Sequence, residues 1–479
     1  MKSKLILFLS IKLIICQLLW GLDFAKTSHF LLNFPDHEPT NYSRFTKSKN
    51  FKISTEILYS DIYRKISNDQ LLSQAHAIEY GTQLEIPIDL QSFRALLQLK
   101  LDRNIFKYNN SQDQVVVNSK VEYKNVMPHL RMVLGGNKTL VGIGFKKQFY
   151  QGASTNLINT FPKSDNKNLN KYFLDLLQPS FGDSIIADLN NSGDLLFEFW
   201  FSRPVFSDLR LLVYFKQISN KDHINFLYQN NSQKQELQGD RQIQLSPRKK
   251  DHAFAIHLKF DQNIFKKFEM GFSTGSHDFD LSNIGFEKYD LVELGDGNLH
   301  YFKTYSKLFL QPLLDLNIQV GIGYGSHTGN GEVSTPVLGY YQYIFPISHS
   351  ADGQIQNWNS LSWLAKCSYV HNLAGFENTL AVSYIHSRNW LDLEATTHLE
   401  FGLQSDDYQT SQIYYVHLWE IGYQFHYKLD RIIFGGGIQQ LIPIVNEKIK
   451  KPKPAPPKPA KKYRETGGRF YSLSIGYEF

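Results

Sequence analysis

Apolar and polar residues alternate along most of the chain beyond residue 50. Between Leu314 and Tyr324, for example, every second residue is apolar, and the residues between them are Asp, Asn, Gln or Gly. Successive side chains of a β-strand point to opposite faces, so each such stretch predicts a strand with one apolar and one polar face. The predicted strands are 51–60, 78–88, 93–101, 115–124, 138–148, 194–203, 208–217, 252–261, 266–275, 299–310, 313–324, 335–345, 361–371, 376–386, 391–403, 413–427, 431–441 and 469–479.

The number of two-faced strands favours a closed transmembrane barrel over a soluble sheet. A soluble sandwich of this size would need a very large core, and no pattern for a buried helix layer is present to fill it. In a membrane barrel each strand turns its apolar face to lipid and its polar face to the lumen, and closure removes the sheet edges. The mean hydropathy is −0.33, and no apolar run of about 20 residues follows residue 21, which argues against membrane-spanning helices. We therefore expect an all-β fold, a transmembrane antiparallel barrel over residues 51–479.

The connections between the predicted strands alternate between short and long. Short turns are predicted at 89–91, 204–206, 262–264, 311–312, 372–374 and 429–430, and long polar links at 150–190, 218–250, 276–297 and 443–467. In outer-membrane barrels the short turns usually face the periplasm and the long loops face outward. This alternation places both chain ends on the periplasmic side and requires an even strand number, about 16 or 18. The count depends on 335–345 and 391–403, which either both cross the membrane or both fold within loops.

The last predicted strand ends the chain on an aromatic residue in phase with its apolar face. That face is formed by Tyr471, Leu473, Ile475, Tyr477 and Phe479. The stretch 469–479 resembles the C-terminal signal strand of Gram-negative outer-membrane β-barrels, which the barrel-assembly machinery of that membrane reads. The resemblance indicates a class of protein rather than a family. It implies a location in the cell outer membrane and assembly by that machinery.

The N-terminus has the pattern of a secretory signal peptide over residues 1–25. Lys2 and Lys4 precede an apolar core, and Gly21 or Ala25 supplies the small residue before a cleavage site. Residues 26–50 are polar and lack periodicity, so they are predicted to be a simple lead or, alternatively, a plug inside the barrel. Export would leave Cys367 as the one cysteine of the mature chain, which excludes an internal disulfide.

Two of the predicted loops have a pattern of their own. Within 150–190, the apolar residues of 168–177 recur at helical spacing, which predicts a short amphipathic helix. This helix would narrow the pore, lie at the membrane interface or pack on the barrel rim. The loop 446–465 is rich in Lys and Pro, which predicts an extended cationic spacer. Such a spacer would contact lipopolysaccharide phosphates or remain solvated.

Candidate chemistry is limited to charged side chains on the polar strand faces. No zinc-ligand spacing, phosphate-binding loop or nucleophile elbow is present, and neighbours such as Ser326 and His327 would point to opposite faces of a strand. We therefore expect no catalytic residues, no metal site and no cofactor. The residues predicted to line the lumen are Arg94, Lys100, Lys146, Arg210, Lys216, His257, Lys259, Asp392, Glu394, Glu400, Glu420 and His426.

The predicted lumen charges separate into two groups along the chain. The basic residues fall mainly on the earlier strands, whereas Asp392, Glu394 and Glu400 form an acidic stripe on a later one. Opposed basic and acidic walls would set a transverse electric field that sorts solutes by charge and dipole. This is a hypothesis that rests on the predicted strand faces.

These observations favour a porin-like, non-enzymatic outer-membrane channel or transporter that passes or binds a small solute through a polar lumen. One alternative is a structural or surface-interaction barrel with a plugged lumen, and a third hypothesis is an outer-membrane lipid hydrolase. The expected partners are outer-membrane lipids, lipopolysaccharide and the assembly machinery. The net charge of +6 is too small and too dispersed to indicate nucleic-acid binding.

Overall fold

The computed structural model describes residues 51–66, 71–90, 93–112, 115–135, 139–160, 184–188, 192–206, 209–230, 239–260, 264–284, 293–341, 345–373, 375–399, 404–453 and 463–479. The predicted signal peptide, the N-terminal lead or plug and the helix at 168–177 lie outside these residues. Among the described residues, no helix is long and apolar enough to cross a membrane.

The described chain forms a single antiparallel sheet that closes on itself. Its strands are β1 (Lys52–Ile66), β2 (Leu71–Leu90), β3 (Phe93–Gln112), β4 (Val115–Gly135), β5 (Leu140–Thr160), β6 (Ser184–Asp188), β7 (Ser192–Phe206), β8 (Leu209–Lys221), β9 (Ile224–Asn230), β10 (Gly239–Phe260), β11 (Phe265–Ile284), β12 (Glu293–Leu313), β13 (Leu316–Tyr341), β14 (Phe345–Leu373), β15 (Phe376–Leu399), β16 (Gln404–Leu429), β17 (Ile432–Lys453) and β18 (Tyr463–Glu478). Closure occurs where β1 pairs with β18 from Lys52–Glu478 to Ile66–Tyr463.

The ring has 16 strand positions because two of them are each shared by two consecutive strands. Strand β5 pairs with β7 through residues 140–149 and with β6 through 153–157. Strand β10 pairs in the same way with β8 and, farther along, with β9. The protein is thus a closed 16-stranded antiparallel barrel, as the sequence predicted. Neither 335–345 nor 391–403 is a separate crossing, since the described residues of these segments belong to β13, β14 and β15.

The short connections and both ends of the barrel lie at one rim. At this rim Lys52 pairs with Glu478 on one side and with Glu85, near the end of β2, on the other. Two of the turns use left-handed backbone: Gly375 has φ 83° and Asp430 has φ 52°. Glycine adopts this conformation without a steric penalty, and Asp is among the residues that tolerate it.

At the other rim, the strands continue well past the length needed to cross a membrane. Strand β14 has 29 residues, whereas about 9–11 residues suffice for a crossing. Parts of the predicted loops 150–190, 218–250, 276–297 and 443–467 are therefore strand. The sequence prediction recognised a strand only where one face is apolar. Backbone hydrogen bonding does not need an apolar face, so the strands continue beyond the predicted ends.

The Lys/Pro-rich segment differs from its prediction in the same way. Residues 448–453 belong to β17, and Pro452 lies opposite Thr410 of β16. The pairing of β17 with β18 ends at Leu441–Gly468, so among the described strands this part of β17 pairs with β16 alone. Proline cannot donate to a ladder and is tolerated at such an edge. Residues 454–462 lie outside the described chain.

The two faces of the barrel wall have the predicted polarity. On β16, Trp419, Ile421 and Tyr423 are exposed on the outer face, while Leu418 and Glu420, which alternate with them, are buried on the inner face. On β18, Tyr471, Leu473, Ile475 and Phe479 of the predicted assembly signal are exposed, and Phe479 packs against Tyr477 and Phe51. Each apolar side chain turned to lipid rather than water is worth about 1.5–3 kcal/mol, so the outer belt favours a membrane environment.

Candidate functional site

The inner wall from β2 to β13 carries three clusters of charged side chains. Strand alternation brings them to one face, as on β10, where Asp251 and His257 are buried together with the small residues Ala253 and Ala255. Each cluster is centred on a carboxylate, and each is named here after that residue. The three centres are Glu198, Glu269 and Asp251.

The Glu198 cluster joins Glu198 of β7 to Arg131 and His129 of β4 and to Tyr214 of β8. The Oε1 atom of Glu198 accepts a hydrogen bond from Arg131 Nε at 2.7 Å and lies 3.1 Å from His129 Nε2. The Oε2 atom accepts a bond from the Tyr214 hydroxyl at 3.1 Å. Glu198 is only 1% exposed. A buried carboxylate needs such compensation, because an uncompensated charge costs several kcal/mol.

Glycines on β5 make the Glu198 cluster possible. Strand β5 lies between β4 and β7, and Gly144 is the cross-strand partner of both Arg131 and Glu198. A Cβ atom at Gly144 would lie 2.5 Å from Cγ of Glu198. Likewise, a Cβ atom at Gly142 would lie 2.0 Å from the Trp200 ring. Large side chains of β7 therefore cross over β5 because its inward positions are empty.

The polar network continues from the Glu198 cluster towards β2. Arg131 Nη1 lies 3.5 Å from Gln98 Oε1, and Gln98 donates to Glu85 at 2.9 Å. On the same inner face, Lys100 Nζ lies 3.1 Å from Glu79 and 2.9 Å from Asp102. Charges of both signs therefore alternate around this part of the wall.

The Glu269 cluster has more cations than carboxylates. Glu269 accepts a hydrogen bond from the Tyr305 hydroxyl at 2.7 Å, and Lys267 Nζ lies 2.8 Å from its other oxygen. Lys307 Nζ and His257 Nδ1 are each 3.8 Å away. Tyr305 reaches Glu269 across Gly271, the third inward position where a glycine leaves room for a neighbour. Glu269 and His257 are 2% and 0% exposed.

The Asp251 cluster lies next along the wall. Asp251 contacts Lys249 at 3.2 Å and His277 Nε2 at 3.4 Å, and Lys249 also lies 3.7 Å from Asp194. Lys303, which is 1% exposed, lies over the Tyr301 ring at 5.2 Å. From Tyr301, an aromatic row runs through His327 to Trp358 with ring centroids 6.0 and 4.7 Å apart.

The inner face of β14, β15 and β16 is different. Its buried polar residues are mainly small, and Ser362 Oγ donates to Ser387 Oγ at 2.9 Å. The buried carboxylate of this wall, Glu420, accepts a bond from Ser383 at 2.6 Å. The residues between them include the apolar cluster of Leu364, Ile385 and Leu418. This wall therefore has few charges and short side chains.

Most of the predicted lumen residues fall on inward positions. Lys146 and Lys216 share the faces of Gly144 and Tyr214, and Lys216 is the cross-strand partner of Glu198. Arg210 Nη1 lies 3.5 Å from Ser202 Oγ. His257 joins the Glu269 cluster, and the ring of His426 lies against Gly435. The other inward residues, assigned by strand alternation, are Arg94, Lys100, Lys259 and Glu420.

The predicted acidic stripe lies elsewhere. On β15 the buried inward residues are Ser383, Ile385, Ser387 and Asn389, so unbroken alternation places Asp392 and Glu394 on the outer face. Glu394 is exposed and accepts a hydrogen bond from Gln356. Glu400 lies outside the described residues. Asp392 and Glu394 therefore do not form an acidic wall of the lumen opposite the basic wall, because Leu391 and Leu393 take the inward positions.

Sequence reasoning missed the carboxylates Glu198, Asp251 and Glu269, which neutralise the basic wall locally. The sequence signal that could have found them is their place in the alternating pattern. Glu198, for example, lies between Phe197 and Phe199 in sequence, so it falls on the polar face of β7. The neighbouring Gly142 and Gly144 gave a second signal, since alternate glycines on one strand leave room for large residues on the next. In the described part of the chain, no group of three or more His, Cys, Asp or Glu is arranged to hold a metal ion.

No family model matches the chain, and no curated protein matches it at a significant level. Several solved structures resemble it in fold. The toluene transporter TodX of Pseudomonas putida is 8% identical, with 92% of this chain and 93% of that chain covered and a TM-score of 0.34.

Two further structures give similar values. A FadL homologue of Pseudomonas aeruginosa is 10% identical, with 90% of each chain covered and a TM-score of 0.34. OccAB3 of Acinetobacter baumannii is 10% identical, with 90% and 99% covered and a TM-score of 0.33. The chain shares the antiparallel β-barrel fold with these structures, and likeness at these scores carries no argument about location, solute or mechanism.

Proposed function

We propose that the protein is a non-enzymatic outer-membrane channel or transporter, which passes or binds a small polar solute through its lumen. The observation that carries this proposal is the band of buried, hydrogen-bonded charges on the inner wall from β2 to β13. A barrel that served only as an anchor would need no such band, because apolar or small residues fill an interior at lower cost. Fixed charges and hydroxyls at close spacing are what a selectivity region uses.

In this proposal the three clusters act together as the selectivity region. Lys267, Lys307 and Lys303 provide positive charge beside Glu269 and Asp251, so a solute carrying an anionic or hydroxyl group finds donors at several neighbouring positions. The wall that carries Ser362, Ser383 and Ser387 adds hydroxyl groups on short side chains. Short turns face the periplasm and long loops face outward in the orientation that we propose.

A plugged surface-interaction barrel is the second candidate. The observation in its favour is the near-complete burial of inward side chains such as Lys303 and His257, which a filled lumen would also produce. The two candidates differ in conductance. A plugged barrel is silent in a bilayer, whereas a channel gives steady current steps.

The first experiment is single-channel recording of the refolded mature protein in a planar bilayer, with and without residues 161–183. The deletion is compatible with the fold because Leu157 pairs with Ser184, so that 158–160 can close a short hairpin. Steady steps support the channel, and a larger step after deletion supports pore narrowing by 168–177. Silence of both proteins, each shown to be folded by heat-modifiable gel mobility, contradicts the channel and supports the plugged barrel.

The selectivity region is tested by Glu269→Gln in the same recordings. Removing this carboxylate leaves Lys267 and Lys307 without its charge, so the reversal potential in a salt gradient is expected to shift towards anion selectivity. Glu122→Gln is the matched control, because Glu122 is a half-buried carboxylate on the outer face that is paired with Arg103. An unchanged reversal potential in Glu269→Gln, or an equal shift in Glu122→Gln, contradicts the assigned selectivity region.

A further inference from the structure

A cationic and aromatic patch occupies the outer face of β14, β15 and β16. Its members alternate with the buried inward residues of β14, β15 and β16, so all of them face away from the lumen. We call this set the outer patch, and it consists of Trp363, Tyr384, His386, Arg388, Trp390, Tyr415, His417 and Trp419.

Arg388 is the charged centre of the outer patch. Its guanidinium carbon lies 4.7 Å from the Trp390 ring and 5.8 Å from the Tyr415 ring, which holds the group by cation–π attraction. Among the described residues, no carboxylate lies within ion-pair distance of it. Asp392 is the next acidic residue on the same face of the strand, and its position is four residues farther from the short-turn rim.

Two histidines extend the patch beside Arg388. His386 and His417 are cross-strand partners with ring centroids 4.6 Å apart. The Tyr384 hydroxyl lies 2.7 Å from His417 Nδ1, whereas His386 Nδ1 has no hydrogen-bond partner among the residues that the structure describes. The patch thus holds one guanidinium and several ring N–H and hydroxyl groups on a single surface.

The height of the patch matches the edge of the membrane. Arg388 follows the turn residue Gly375 by 13 residues, which at about 3.3 Å per residue and a tilt of roughly 40° is about 33 Å. The apolar band of such barrels is about 25 Å tall and is bounded by aromatic girdles. Below the patch, the outer face carries Leu380, Ile421 and Tyr423. An arginine just above an apolar band faces lipid headgroups.

From this geometry we propose that the outer patch binds a phosphate group of lipopolysaccharide in the outer leaflet. The planar guanidinium of Arg388 is suited to two hydrogen bonds to one phosphate. The aromatic rings on either side accommodate the sugar and the upper acyl chains. The proposal rests on the orientation given above, with the long-loop rim outside, but not on whether the lumen conducts.

The chain offers a matched control for Arg388. Arg103 also points outward from β3 at a similar height above the short-turn rim, and its side chain is exposed. Unlike Arg388, Arg103 is paired with Glu122, so its charge is neutralised locally. It shares the residue type and the position relative to the membrane. Its cross-strand partner on β2 is Tyr80, but no cation–π contact joins Arg103 to a ring in the described part of the chain.

The experiment is a native mass-spectrometric titration of the refolded full chain in detergent with lipid A, the phosphorylated lipid anchor of lipopolysaccharide. Arg388→Ala is expected to weaken binding about tenfold, since one charge-assisted contact is removed. Arg388→Lys is expected to lose only part of the affinity, because it keeps the positive charge but not the planar two-donor geometry. Arg103→Ala is expected to leave the affinity unchanged. Dephosphorylated lipid A is expected to bind the wild-type protein as weakly as lipid A binds Arg388→Ala.

Other outcomes would overturn the proposal. Equal binding by the wild-type and Arg388→Ala proteins, an equal loss in Arg103→Ala, or tight binding of dephosphorylated lipid A excludes phosphate recognition by the patch. Equal competition by phosphatidylglycerol excludes lipopolysaccharide as the specific source of the phosphate. If Arg388→Ala does not show the heat-modifiable mobility of a folded barrel, Arg388→Gln removes the charge, keeps a long side chain, and is expected to show the same tenfold loss.

Discussion

The inner wall from β2 to β13 and the inner wall from β14 to β16 stabilise their buried polar side chains in different ways. The first wall buries carboxylates among Arg, Lys, His and Tyr, as Glu198 is buried by Arg131, His129 and Tyr214. The second wall buries short hydroxyl side chains that bond to one another, such as Ser362 and Ser387. In the first wall, a substitution that removes one charged partner leaves the other charge buried without compensation. In the second wall, a substitution of one of these serines removes only a neutral hydrogen bond. The expected sensitivity to mutation therefore differs between the walls.

The largest difference is expected when the central acceptor of each wall is removed. Glu198→Ala takes away the carboxylate that Arg131, which is 3% exposed, bonds to, and breaking a buried ion pair costs about 3–5 kcal/mol. Ser387→Ala, at a position equally buried on the other wall, removes a neutral hydrogen bond worth about 1 kcal/mol. Urea-induced unfolding of the refolded proteins measures both. Equal losses would mean that the two walls are energetically alike.

A smaller difference is expected at the inward glycines. Gly144→Ala brings a Cβ atom within 2.5 Å of Glu198 Cγ, and overpacking of this kind costs about 1–3 kcal/mol. Gly422 of β16 is the control, because the nearest atom to its Cβ would be 3.8 Å away. We expect Gly422→Ala to leave the midpoint of urea unfolding unchanged or slightly raised. A stable Gly144→Ala protein would show that β5 does not need an empty position there.

The smallest effect is expected at the upper end of the first wall, where its electrostatics become pH-dependent. Asp222 lies in the break between β8 and β9, beyond the apolar belt, and burial raises its pKa from 3.8 to about 6, with the nearby Asp194 adding to the shift. A carboxyl whose pKa is higher in the folded state favours folding below pH 4, and this contribution is lost as the pH rises through 6. This shift corresponds to about 3 kcal/mol without screening, and solvent near the carboxyl makes the loss at neutral pH smaller than that.

Asp222→Asn tests this contribution. The variant is expected to be more stable than the wild-type protein at pH 7.5 and similar to it at pH 4.5, because the amide carries no charge at either pH. Thermal unfolding in detergent at the two pH values gives the comparison. The same pH dependence in both proteins would assign it to other groups.

Alternation along the sequence predicts correctly which side chains of the candidate site face the lumen in most cases, but not in all. Alternation placed Lys100, Lys216, His257 and Glu420 on the polar faces of their strands, and the structure has these residues on inward positions. It failed for Asp392 and Glu394, because β15 continues past the membrane with its apolar residues Leu391 and Leu393 turned inward. The rule that apolar residues face lipid holds only at the level of the membrane.

The sequence by itself determined the fold class, the polarity of the two faces and an even number of strands, about 16 or 18. These follow from local alternation and from the positions of short turns, since a strand has only two faces and a membrane barrel must close. Only the tertiary structure decided which charges meet. Arg131 and Glu198 are far apart in sequence and become neighbours because β4, β5 and β7 pair in one register with Gly144 between them. Register depends on the pairing of many residues at once, so no single strand carries that information.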